Sequence, residues 1–136
     1  MSVSGRDLLS VALLAGAACG GAGPTNNSGN NNPNPPSLPG GTPVPAASVS
    51  VANDYYSPNS VLLATGGTVT WNWVGDGHSV TSSGSPSFSP NAPVRDSPFM
   101  LQVSFPTAGD YRYFCTVHGQ ASYYSSGDMV GEIFVR

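Results

Sequence analysis

Between Ser48 and Arg136, apolar residues alternate with polar ones in several short runs. Val49 and Val51 alternate with serines, and Val69, Trp71 and Trp73 alternate with Thr68, Thr70 and Asn72. A period of two sends the two sets to opposite faces of a strand, one of them apolar enough to be buried. Similar short runs occur at 61–64, 78–82, 99–105, 111–115 and 130–135, and their β-branched and aromatic content suits strands. Gly66-Gly67, Gly75-Asp76-Gly77 and Ala108-Gly109-Asp110 read as the turns between them. No segment carries a helical period. Seven to eight short strands at this spacing predict an all-β fold, a Greek-key β-sandwich. Trp71, Trp73, Tyr111 and Tyr113 are expected to fill its core. Residues 83–97, rich in Ser and Pro, read as a long surface connection between the two sheets.

The composition changes upstream of this region. Asn, Pro, Gly and Ser dominate residues 20–46, which offer almost nothing for a core and are expected to form a disordered tether. Residues 1–19 differ again. An apolar run, Leu8-Leu9-Ser10-Val11-Ala12-Leu13-Leu14, is followed by small residues and then Cys19. The pattern is that of a short signal peptide and resembles a bacterial lipoprotein signal, with Cys19 as the lipidated first residue of the mature protein. The run is too short to span a bilayer as a mature helix. The expectation is an exported protein, periplasmic or on the outer face of a bacterial membrane, tethered there through Cys19. One folded domain remains, residues 47–136.

That domain carries six acids, Asp54, Asp76, Asp96, Asp110, Asp128 and Glu132, against Arg95, Arg112 and Arg136. The chain contains no lysine. Nucleic-acid recognition leans on clustered Lys and Arg, so this balance argues against it.

Four residues suggest chemistry. His78 and His118 are the two histidines of the chain, and Cys115 has no evident disulfide partner once Cys19 is assigned to the signal. Met129 follows just before the last strand-like run. A lone thiol in an oxidising compartment needs protection, and a metal supplies it. Copper alternates between a cuprous state that favours sulfur and a cupric state that favours imidazole, so a mixed donor set serves both. Two histidines and a thiolate with a long, weak axial methionine form the blue-copper arrangement. Zinc takes imidazole and thiolate too, but its structural sites usually have four Cys/His ligands, and with Cys19 assigned to the signal three remain. Each residue also has a plain role open to it: loop histidines, a small buried cysteine, a core-filling methionine. Their occurrence together, in this order, favours the metal.

Residues 48–136 resemble the cupredoxins, the small blue copper proteins. The resemblance rests on Gly67-Thr-Val-Thr-Trp-Asn-Trp followed by Gly77-His-Ser-Val, on Phe105-Pro-Thr-Ala-Gly-Asp-Tyr-Arg-Tyr-Phe-Cys-Thr-Val-His, and on Met129-Val-Gly-Glu-Ile-Phe-Val. It implies the same sandwich, with His78, Cys115 and His118 as equatorial ligands of one copper ion and Met129 as the axial ligand. Two departures stand out. Ten residues separate His118 from Met129, more than in plastocyanin-like chains, so 120–128 reads as an insertion. Gln120 or a backbone carbonyl is then an alternative axial donor. Ser79 stands where the family often has asparagine, and its hydroxyl is expected to donate a hydrogen bond to the thiolate. Tyr123 and Tyr124, in the insertion, are expected either to cover the site or dock a partner, or to be ordinary exposed loop residues.

The function that follows is a type 1 (blue) copper protein, monomeric and not an enzyme. It would carry single electrons between a redox donor and a redox acceptor outside the cytoplasm, with His118 as the exit edge. The alternatives are a copper-storage or copper-delivery protein using the same residues, and a metal-free Ig-like interaction domain.

Overall fold

The computed structural model describes residues 36–121 and 128–136. The signal and most of the tether lie outside the described residues, as do Tyr123 and Tyr124. Eight strands follow one another: β1 (Val44–Ala52), β2 (Tyr55–Ser57), β3 (Ser60–Trp73), β4 (His78–Ser83), β5 (Ala92–Arg95), β6 (Met100–Ser104), β7 (Gly109–Phe114) and β8 (Val130–Val135). Among the described residues there is no helix. The hydrogen-bonded order is β2-β1-β3-β8-β7-β4-β5, with β6 also on β3. β1 and β8 run parallel to β3, and the remaining pairs are antiparallel.

β3 joins the two halves of the sandwich. Its first residues, Ser60 to Leu63, pair with β8, whereas Thr68 to Asn72 pair with β6 and continue alongside β1. The change of partner falls at Gly66-Gly67. The pair reads as a turn in sequence, but it is a bend inside one continuous strand. Gly66 takes a φ of +83°, which a residue with a side chain rarely adopts. At Gly67 a Cβ would lie within 2.9 Å of the Pro45 carbonyl and the Leu63 side chain. Strand pairing is kept through the bend by bonds that leave the β ladder: Thr65 N–H donates to the Arg136 carbonyl and Gly66 N–H to that of Phe105.

The alternation has the predicted consequence. Val69, Trp71 and Trp73 are buried, while on the opposite face Thr68 meets Ser104, Gln102 donates to Thr70, and Asn72 donates to Ser48. These hydroxyl and amide pairs tie neighbouring strands together on the outer surface. On the inner face Trp71 stacks on Phe88 at 5.5 Å and meets the ring of Tyr113 edge-on at 5.3 Å. Tyr113 in turn packs against Tyr56 at 4.7 Å. Trp71, Trp73, Tyr111 and Tyr113 are therefore core residues, as expected.

Three further features depart from the sequence reading. The Ser/Pro-rich stretch 83–97 is more than a surface connection, because it contains β5 and sends Phe88 and Ala92 into the core. β2 is a strand of only three residues, too short for alternation to register, yet it delivers the buried Tyr56. β1 starts at Val44, so its first residues come from the segment assigned to the tether.

β8 is buried along its whole length, and Gly131 interrupts its apolar run. The reason lies across the ladder. Gly131 pairs with Tyr113, and a Cβ at Gly131 would overlap the phenol ring. Gly131→Ala is expected to lower stability by about 1–3 kcal/mol, the usual penalty of overpacking. The denaturation midpoint should fall with an unchanged m-value, and an unshifted midpoint would show that the ring can move aside.

Candidate metal centre

His78 opens β4 immediately after Gly77, whose φ of +75° turns the chain into the strand. That turn is clipped from both sides. Gly77 N–H donates to the Asp96 carboxylate at 2.9 Å, and Ser97 N–H donates to the Asp76 carboxylate at 2.9 Å. Cys115 directly follows β7, and His118 comes three residues later in the turn leading towards β8. Because β4 and β7 are antiparallel neighbours, the start of one lies beside the end of the other. Residues 37 positions apart in sequence are thereby brought together.

Three donor atoms converge there. Nδ1 of His78 lies 3.1 Å from Nδ1 of His118, and Sγ of Cys115 lies 3.6 Å from the His118 nitrogen and 4.0 Å from the His78 nitrogen. Among the described residues these three form a group able to hold a metal ion. The triangle is the right size for one. Bonds of about 2.0 Å to nitrogen and about 2.3 Å to sulfur would set such donors roughly 3–4 Å apart around a single ion. Two ring lone pairs facing each other at 3.1 Å repel unless a proton or a cation lies between them. Burial, and next the neighbouring His118, lower the pKa of His78, which keeps its imidazole neutral and its lone pair available.

The backbone under the site is held by aromatic side chains. The indole N–H of Trp73 donates to the carbonyl of His78 at 2.9 Å, and the hydroxyl of Tyr56 donates to the carbonyl of Ser79 at 2.5 Å. The same Ser79 donates its own N–H to Sγ of Cys115 at 3.4 Å. Burial and the adjacent Cys115 push the Tyr56 phenol well above its ordinary pKa, so it remains a donor.

The expected hydroxyl-to-thiolate bond from Ser79 is not the one that forms. Its Oγ accepts from Thr116 N–H at 2.9 Å and lies 3.1 Å from the Thr116 hydroxyl, tying β4 to the ligand loop. The sulfur receives the backbone N–H instead, which any residue but proline would supply at position 79.

Met129 is fully buried, and its backbone closes the loop. Its N–H donates to the carbonyl of His118 at 2.9 Å and its carbonyl accepts from Cys115 N–H at 3.0 Å. Gly119 lies against this junction, where a Cβ would come within 2.7 Å of the Met129 carbonyl. Gln120, the alternative axial candidate, is exposed. The exposure of the three converging side chains is uneven. His78 and Cys115 are 2% and 0% exposed, while the His118 side chain is 34% exposed. Outside it, Nε2 of His118 lies 3.3 Å from a carboxylate oxygen of Asp54.

Sequence reasoning missed Tyr56, Trp73 and Asp54 as parts of this centre. Trp73 is expected from the alternation to fill the core, and it does that as well. No local pattern marks the other two, because their contacts depend on strands paired across the fold.

No family model matches the chain, and no curated protein does. Solved structures do. A purple cupredoxin from Nitrosopumilus maritimus is 22% identical, with 66% of this chain and 99% of that one covered at a TM-score of 0.52. An oxidised amicyanin variant is 20% identical, with 70% and 86% covered at 0.54. A copper-containing nitrite reductase from Thermus scotoductus is 20% identical at 0.50, with 70% of this chain but only 23% of that one covered. With the strand topology above, these likenesses make the chain an all-β protein of the cupredoxin fold.

Proposed function

We propose that the protein is a type 1 copper protein that carries single electrons between redox partners outside the cytoplasm. The observation that carries this reading is the convergence of His78, Cys115 and His118 within 3.1–4.0 Å. The donors are one thiolate and two imidazoles, the equatorial set of blue copper sites. Bound copper would supply a one-electron couple between Cu(I) and Cu(II). Met129 is the proposed axial donor, supported by its burial and by its backbone bonds to both Cys115 and His118.

The residues favour rapid exchange for a physical reason. Trp73 and Tyr56 hold the carbonyls of His78 and Ser79, and Ser79 N–H holds the sulfur, so two of the donors have little freedom to follow a change of oxidation state. Little movement means a small reorganisation barrier. His118 is the donor that a partner can approach, which makes its edge the proposed route for the electron. Export through residues 1–19 and a membrane tether at Cys19 complete the proposal.

Adding cupric salt to the protein should give an intense visible charge-transfer band that saturates at one equivalent. The band should bleach with a mild reductant and return with a mild oxidant. Absence of the band would overturn the proposal. Loss of the reduced ion to a chelator, without return of the band, would replace it with copper delivery.

A further inference from the structure

We propose that Asp54 is a positioning residue for His118, holding the ring proton on Nε2 and the ring plane so that Nδ1 is presented to the metal. The inference rests on the copper reading above and adds a residue which that reading does not use. His118 needs such a partner more than His78 does. His78 is buried at the head of a strand, with its carbonyl tied to Trp73. His118 lies in a turn, one third exposed, and its terminal ring torsion is intrinsically broad. Its two nitrogens face opposite ways. Nδ1 points towards His78 and Cys115, and Nε2 lies 3.3 Å from Oδ1 of Asp54. Histidine ligands commonly pass their second N–H to a carboxylate, which fixes the tautomer and makes the ligating nitrogen more basic.

The turn that carries Asp54 is built to place it. Asp54 sits between β1 and β2 with a φ of 67°, the one positive value at a non-glycine among the described residues. Aspartate tolerates this conformation better than most residues, yet it remains an uncommon one, and strain of this kind gathers at functional sites. The end of β1 is pinned from behind, since Val74 N–H and Gly75 N–H both donate to the Val51 carbonyl. Gly75 leaves no room for a side chain beside Asn53. The nearby acids Asp76 and Asp96 are engaged with the backbone at Ser97 and Gly77.

An exposed ion pair is ordinarily worth little, so the role is read in the site rather than in stability. Asp54→Gly removes the carboxylate while fitting the positive φ, and Asp54→Asn keeps an acceptor oxygen without the charge. In the metal-free full chain at neutral pH, 15N NMR should show His118 protonated at Nε2 in the wild type and in Asp54→Asn, and a mixture of tautomers in Asp54→Gly. With cupric ion as the probe, Asp54→Gly should weaken binding by about 10–100-fold, the range for outer partners of metal-binding histidines. Both variants should raise the reduction potential, because a negative charge near the ion favours the cupric state. An Asp54→Gly protein with the wild-type tautomer, affinity and potential would overturn the inference. Should the wild type bind no copper, the copper reading fails by itself, and the tautomer measurement still decides what Asp54 does.

Discussion

Cys115→Ser, made in a Cys19→Ser background so that no other thiol is present, should abolish the visible band completely. The band depends on a copper–thiolate bond, and an alcohol at the same position provides neither the anion nor the soft donor. Two imidazoles 3.1 Å apart would still hold cupric ion weakly. Affinity should therefore fall by more than the about 10–100-fold that outer-partner changes cause. The fold should tolerate the exchange, because Ser79 N–H, which donates to the sulfur, can donate to a hydroxyl in its place. Visible absorption, copper titration and a denaturation curve on the same sample check the three parts. Survival of the band would mean that the sulfur is not a ligand, and the electron-carrier reading would go with it.

Trp71→Ala should have the largest effect on stability, a loss of about 3–5 kcal/mol. A domain of this size has only about 5–15 kcal/mol in total, so the variant should be partly unfolded at moderate temperature. Trp71 is fully buried and touches the rings of Phe88, Phe105 and Tyr113, which come from three other segments of the chain. No neighbour can fill the space without giving up contacts of its own. The damage should also reach the candidate metal centre, since Tyr113 supports Tyr56 and Tyr56 holds the Ser79 carbonyl. Trp71→Phe should be much milder. The indole N–H of Trp71 is buried without a hydrogen-bond partner among the described residues, and phenylalanine removes that donor along with part of the volume. Chemical denaturation of the three proteins gives the order. If Ala and Phe prove equally mild, the core collapses around the vacancy more easily than its packing suggests.

Much of this architecture can be read from the short β-prone runs of the sequence. Residues 130–135 coincide with β8, and 78–82 and 111–115 differ from β4 and β7 by one or two residues. What alternation misreads has a local cause. Gly66-Gly67 looks like a turn because glycine pairs usually are, but here a long strand must bend to serve two neighbours. Phe88 is hidden among serines and prolines, and a single apolar residue gives no period. At the candidate metal centre, His78, Cys115 and His118 were legible as residue types in order, and they do meet. The parts that orient them were not. The bond from Tyr56 to the Ser79 carbonyl spans 23 residues, and the Asp54 to His118 contact spans more still. Such contacts follow from which strands pair, and no motif announces them.

The uneven exposure of the three donors bears on how the ion would come and go. His78, at the head of β4, and Cys115, just past β7, are buried, so among the described residues the His118 corner is where the three donors meet solvent. That corner is the short turn from Thr116 to Gly119, where Gly119 packs against the Met129 carbonyl with no room for a methyl group. Loading and release would then be kinetic properties of that turn, adjustable by its sequence while the walls of the sandwich keep their shape.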